Sequence, residues 1–209
     1  MESSERQALE QRIQERCLRG DIEQAVRIAL EGYGPEFLRL LGSILHDREL
    51  ARDAYGIFSE RLLLDLPDFR WECSFRTWAY QVARHVGYRL AHAAAARELP
   101  VSHGAFHDEV QPERSQTSPW LQTTVKARFR ALREQLTPHE QTILMLRVDR
   151  RMSWSDVARA MATSDEERTP GAVNRRAAVL RQQFQRIKER LRELALEAEL
   201  FSSSHPPVS

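Results

Sequence analysis

The chain is predicted to be all-α, with two small helical domains joined by a flexible linker. Three observations predict this. Strand signals are nearly absent from the 209 residues, which hold no sustained Val/Ile/Thr alternation, no Asn-Gly hairpin and only 8 Gly. Helix start signals followed by apolar residues at spacings of three and four recur along the chain. Residues 99–119 carry three prolines, three serines and two histidines with no apolar period, which reads as a linker. A structureless loop of that length is unusual inside one compact domain, so the boundary falls there. The expected units are a helical extension over 1–19, a domain over 20–98, the linker, a domain over 120–198 and a disordered tail over 199–209.

In the first half, residues 4–19 have helical character and stop at Gly20, and Asp21 can cap a helix through Leu30. Gly32, Gly34 and Pro35 predict a break, with Pro35 in the first turn of the next helix. Phe37, Leu38, Leu41, Ile44 and Leu45 give that helix its apolar face. Asp47 is the expected cap of a helix with Leu50, Ala54, Ile57, Phe58 and Leu62 inward, ended by Pro67. Ser74 opens a helix to about Ala96, with Trp78, Val82, Val86 and Leu90 on one face.

The second half is better punctuated. A helix is expected from Trp120 to Gln135. Thr137, Pro138 and Glu140 form a capping-box start leading Ile143, Leu144, Leu146 and Val148. Ser153 and Asp156 start a short helix with Val157, Ala158 and Met161. Thr169 and Pro170 start a long one, whose Val173, Ala177, Leu180, Phe184, Ile187, Leu191 and Leu194 keep helical spacing.

Hydrophobic residues are 42% and charged residues 29% of the chain, an ordinary soluble profile that excludes a wholly disordered chain. No apolar run approaches the ~18 residues of a membrane span, and the polar start has no apolar core of a signal peptide, so a cytoplasmic protein is expected. Cys17 and Cys73 stand far apart, which excludes a disulfide framework. No HExxH, P-loop, GxSxG or GxGxxG is present, so neither an enzyme nor a cofactor is expected. His103 and His107 flank Gly104 in the linker, an improbable metal site.

Net charge is only +1, yet it is unevenly spread. Residues 1–69 are net −5, residues 70–97 net +4 and residues 170–192 net +6. Basic charge therefore sits in two blocks. Of the 31 basic residues only Lys126 and Lys188 are lysine, a bias that suits phosphate and guanine contacts but also follows from a GC-rich genome. In the second block a short capped helix precedes a long basic one, the pattern of a helix-turn-helix. The long helix carries Arg175, Arg176, Arg181, Gln182, Gln183, Gln185, Arg186 and Lys188 off its apolar seam. Arg and Gln read guanine and adenine edges, and surplus positive charge neutralises phosphates. A solvated basic helix or a coiled-coil partner gives the same pattern. In the first block Arg70, Trp71, Arg76, Arg84, His85, Tyr88 and Arg89 interleave aromatics with cations, as single-stranded nucleic acid requires. Phe75, Trp78 and Val82 there read as core.

Two segments together carry a family resemblance. GYGPEFLRLLGSILHDRELARDAYGIF (32–58) with LPDFRWECSFRTWAYQVARHVGYRL (66–90) resembles the first conserved domain of extracytoplasmic-function sigma factors. LREQLTPHEQTILMLRVDRRMSWSDVARAM (132–161) with FQRIKERLREL (184–194) resembles their second. The resemblance implies a sigma region 2 bundle and a sigma region 4 helix-turn-helix. It implies an alternative sigma factor whose partners are bacterial core RNA polymerase (β′ clamp helices and β flap) and promoter DNA, with an anti-sigma factor as a further expected partner and no membrane. Carried over by position, Asp47, Arg52, Asp53, Tyr55 and Phe58 would meet polymerase. Arg70, Trp71 and Arg76 would hold the unpaired −10 strand, and Arg84, His85, Tyr88 and Arg89 the adjacent DNA. The long helix would read the −35 element, with Arg181, Gln182, Gln183 and Arg186 at its centre.

Three departures stand out. The family's acidic and Gln-Glu positions fall on Arg52, Tyr55 and Gly56, which erodes the polymerase-contact signature. About a dozen extra residues separate Met161 from the aligned recognition helix, part of them expected to extend that helix from Thr169. The basic cluster after the first domain is replaced by HAAAAR (92–97). The rival readings are a degenerate sigma-like repressor or accessory factor that binds DNA without recruiting polymerase, and a protein-interaction module.

Overall fold

The computed structural model describes residues 3–96, 129–164 and 166–202. The predicted linker, residues 120–128 of the expected helix, His103 and His107, and residues 203–209 of the tail lie outside the described residues.

Helix α1 (Ser3–Leu18) buries Leu9 and Ile13 four residues apart, with Cys17 partly buried one turn on. It ends where Gly20 adopts φ +74°, a conformation only glycine enters at little cost. The Asp21 amide donates to the Arg16 carbonyl at 3.0 Å and the Gly20 amide to that of Cys17 at 2.9 Å, the paired closure of a Schellman end. Helix α2 (Ile22–Leu45) begins at Asp21, whose carboxylate accepts from the Gln24 amide at 3.4 Å.

The expected break at 32–35 does not occur: α2 runs through Pro35. Pro35 and Glu31 are exposed, so the carbonyl that loses its donor four residues back faces water. The two glycines serve helix packing instead. A Cβ on Gly32 would run into the Leu9 side chain of α1, and one on Gly34 would lie 2.5 Å from the Tyr55 hydroxyl.

Helix α3 (Arg48–Asp65) is capped by Asp47, which accepts from the Leu50 amide at 2.8 Å, and gives way to a 3-10 turn (Leu66–Asp68) holding Pro67. Helix α4 (Phe75–Ala96) is started by Ser74, whose hydroxyl accepts from the Thr77 amide at 3.1 Å. Its first turn is also held from α1: the Glu10 carboxylate accepts from the amides of Phe75 (2.7 Å) and Arg76 (3.0 Å) and from the Tyr33 hydroxyl (2.9 Å). Helix α2 packs on α1, α3 and α4 around Tyr33, Phe37, Phe58, Phe75 and Tyr80. Phe37 lies 5.0 Å from Phe58 and 5.1 Å from Tyr80 between ring centres.

In the second half, residues 129–134 are helical. Helix α5 (Pro138–Leu144) has the expected capping box on Thr137 and Glu140 and continues into a π-helical turn (Met145–Asp149). Val148, expected inside, is 46% exposed on that turn. Helix α6 (Trp154–Ala160) is capped by Ser153, which accepts from the Asp156 amide at 3.1 Å. After a 3-10 turn (Glu166–Arg168), helix α7 (Pro170–Ser202) buries Val173, Ala177, Leu180 and Ile187. It continues into the segment expected to be disordered from 199, because the LREL-ALEAEL run is rich in strong helix formers. Helix α6 packs against α4 and α5 against α2, so the buried residues of the two halves make one continuous core. All described elements are helical, with no strand among the described residues.

Candidate nucleic-acid interface

Helix α7 turns one face to the core and the other to solvent. Arg175, Arg181, Gln182, Gln185 and Arg186 are exposed, at spacings that keep them on one side of the helix. Gln183 and Lys188 are half-buried at the edges of that stripe; the Lys188 ammonium sits 5.5 Å from the centre of the Phe184 ring. Arg176 differs from its neighbours. It pairs with Glu167 at 2.7 Å and donates to the Met161 carbonyl at 2.8 Å, so it braces the segment ahead of α7.

Around α4 the expected −10 residues divide into two groups. Arg70 and Arg89 are exposed, and His85 and Tyr88 are half-buried. These four line an open cleft of about 1530 Å³, together with Arg61, Trp78, Val82, His92, Arg159 and Arg168, and with Asp65, Asp68 and Glu72 as the opposing charges. Trp71 stands beside it at φ 57°, held against Phe69 at 4.9 Å, while Phe69 stacks on Trp78 at 4.8 Å.

The second group is inside. Arg76 is 4% exposed. Its Nε and Nη2 both donate to Glu36 Oε2 (2.9 and 2.7 Å), and its Nη1 donates to the Arg150 carbonyl at 3.3 Å. The Tyr80 hydroxyl donates to the same Glu36 oxygen at 2.9 Å, and burial pushes that phenol up. Arg84 is 6% exposed and lies over the Tyr88 ring. Its Nε donates to the Ala160 carbonyl at 3.2 Å and its Nη2 to those of Met161 (2.9 Å) and Ala162 (2.8 Å). Arg76 and Arg84 are therefore both engaged by protein acceptors in this arrangement, although Arg84 also borders the cleft. Arg76 is drawn in by the Glu36 carboxylate; for Arg84, the carbonyls at the end of α6 have no intrahelical donors, and a guanidinium with five N–H groups satisfies several of them at once.

His85 Nε2 lies 3.0 Å from the Ala162 carbonyl. Burial and the Arg84 charge hold its imidazole below the ordinary histidine range. Burial pushes the Cys73 thiol up to about 11, so it stays protonated at neutral pH.

On α3, Arg52 and Asp53 are exposed and Arg52 pairs with Glu49 at 2.9 Å. Asp47 is half-buried as the helix cap. Tyr55 is half-buried with its hydroxyl toward Gly34, and Phe58 is fully buried on Phe37, so Phe58 belongs to the bundle core and presents no surface to a partner. Sequence reasoning missed the residues that α3 does present: Ile57, 39% exposed where a core position was expected, with Leu63 at 40% and Leu64 at 66%. The signal was there in Leu62, Leu63 and Leu64, since three consecutive leucines on a helix cannot all face inward.

Among the described residues no helix is long and apolar enough to cross a membrane, and no group of three or more His, Cys, Asp or Glu is placed to hold a metal ion.

No family model matches the sequence, and no curated protein matches it. Among solved structures, the fold is similar to that of the sigma factor RpoE from Bartonella quintana in its co-crystal with the anti-sigma factor NepR. The TM-score is 0.55 at 18% identity, over 81% of this chain and 95% of that one. The chain has an all-α, sigma-factor-like fold.

Proposed function

We infer that the chain is an alternative sigma factor, which binds bacterial core RNA polymerase and directs it to promoters. The observation that carries this reading is the sigma-like fold with a solvent-facing Arg/Gln stripe on α7, the helix read from the sequence as second in a helix-turn-helix. In this reading Arg175, Arg181, Gln182, Gln185 and Arg186 read the upstream element. The cleft beside α4, with Arg70, Trp71, His85, Tyr88 and Arg89, takes the unpaired downstream strand. Unstacking its bases costs a few kcal/mol, offset by aromatic and cationic contacts, and no covalent step is needed from this chain. The exposed apolar stripe of α3, Ile57 and Leu64 with Asp53 beside them, is the surface offered to polymerase. An anti-sigma factor is a further proposed partner, since the similar sigma factor RpoE was crystallised with one.

A second reading has its own support. Tyr55 and Phe58 point into the bundle and Arg52 is paired with Glu49, which leaves α3 without the contact signature the resemblance implies. The chain would then be a sigma-like DNA-binding repressor or accessory factor. Reconstituted transcription with core polymerase and fragmented genomic DNA separates the two. Discrete start sites that need the added chain support the sigma factor. DNA binding with no such starts supports the repressor.

A further inference from the structure

We propose that the extra segment between α6 and α7, described over residues 162–164 and 166–169, forms with the end of α6 a clasp that holds Arg84 of α4 in a closed state and masks that one cation from nucleic acid. The proposal rests on the reading of α4 as a nucleic-acid contact. The segment has no role in that reading, yet it is highly organised. Glu167 accepts from the amide (2.7 Å) and hydroxyl (3.0 Å) of Thr163 and pairs with Arg176 at 2.7 Å. Arg176 in turn donates to the Met161 carbonyl, and the Thr169 hydroxyl donates to that of Glu166 at 3.0 Å. This bracing turns three consecutive carbonyls, of Ala160, Met161 and Ala162, toward α4. They receive Arg84 as described, Gln81 Nε2 at 3.2 Å and His85 at 3.0 Å.

The chemistry suits a reversible latch. The acceptors are neutral carbonyls at the electronegative end of α6, where a cation is favoured but not neutralised. A phosphate competes for the same guanidinium because both partners are then charged and its oxygens can accept two parallel N–H bonds, whereas a carbonyl offers no opposite charge. An incoming phosphate backbone can thus take Arg84 from the clasp.

The test uses the full chain and arginine labelling with phenylglyoxal, read by peptide mass spectrometry. In the wild type, Arg84 should label about tenfold more slowly than exposed Arg181, the protection that a closed contact gives. Glu167→Ala removes the brace on Thr163 and Arg176 without touching a proposed DNA contact, and should bring Arg84 toward the Arg181 rate. Equal labelling of Arg84 and Arg181 in the wild type overturns the closed state, whatever the variant does. Wild-type labelling in a folded Glu167→Ala chain overturns the role of the segment. A fluorescein-labelled oligo(dT) 20-mer then reads the masking: Glu167→Ala should bind it about tenfold more tightly at equal salt. An open variant that binds no tighter overturns the masking. If neither chain binds DNA, the nucleic-acid reading of α4 fails, while labelling still decides the clasp.

Discussion

Arg76 and Arg84 show how little an arginine's identity says about its task. Both sit on the basic helix that faces the cleft, and both are taken up by protein acceptors. Arg76 is 4% exposed and relies on one Glu36 oxygen that also accepts from Tyr80. Removing one partner of a buried pair strands the other charge, so Glu36→Ala should cost about 3 kcal/mol or more in a urea melt. Cost near zero would mean that water reaches Arg76. His85 gives a pH test. Its folded-state pKa lies below the unfolded one, so the unfolded chain binds more protons as the pH falls through the histidine range. Stability from this site is complete above that range and is lost toward pH 5. The groups raising the penalty are Arg84 and Arg89 on α4 and Arg168 in the turn opposite, while the Ala162 carbonyl opposes them. Melts from pH 7.5 to 5 should fall less steeply for His85→Asn, which does not titrate, than for the wild type. Parallel slopes would remove His85 as the cause.

Among the elements, the helix starts at Asp47, Thr137 and Ser153 were legible because a cap is a local device: a side-chain oxygen finds an amide three residues on. Thr137→Ala should therefore cost about 1 kcal/mol in a thermal or urea melt. The glycines of α2 were misread because their reason is tertiary. Gly32 and Gly34 make room for Leu9 of α1 and Tyr55 of α3, which no neighbouring residue announces. Ile57 was misread for a similar reason, since spacing alone cannot say which of two apolar stripes on α3 is covered. Helix α7 was the clearest, its seam and its polar face both keeping period. Arg181→Ala and Gln182→Ala should each weaken or relax upstream promoter recognition by about 1–3 kcal/mol per lost bidentate contact, measured by binding to mapped promoter DNA and its mismatched variants. Unchanged affinity and specificity in both would move the reading register along α7.

At the scale of the molecule, the all-α class was legible, whereas the packing of the two halves was not. Nothing near Arg84 in the sequence points to carbonyls 76 to 78 residues away. Nor does charge patterning distinguish a cation waiting for phosphate from one already satisfied. Arg70, Arg89 and the α7 stripe are exposed. The α3 face proposed for polymerase is where residues and resemblance diverge most, because Phe58 is in the core and Ile57 and Leu64 face out. That side also carries the central claim, since a sigma factor without core binding is only a DNA-binding protein. The most direct measurement is co-elution of the full chain with purified bacterial core polymerase on a sizing column at moderate salt, with Ile57→Asp as the control. The account predicts a stable complex that the substitution weakens. A folded, helical chain that elutes alone would contradict it and leave the DNA-binding repressor as the reading.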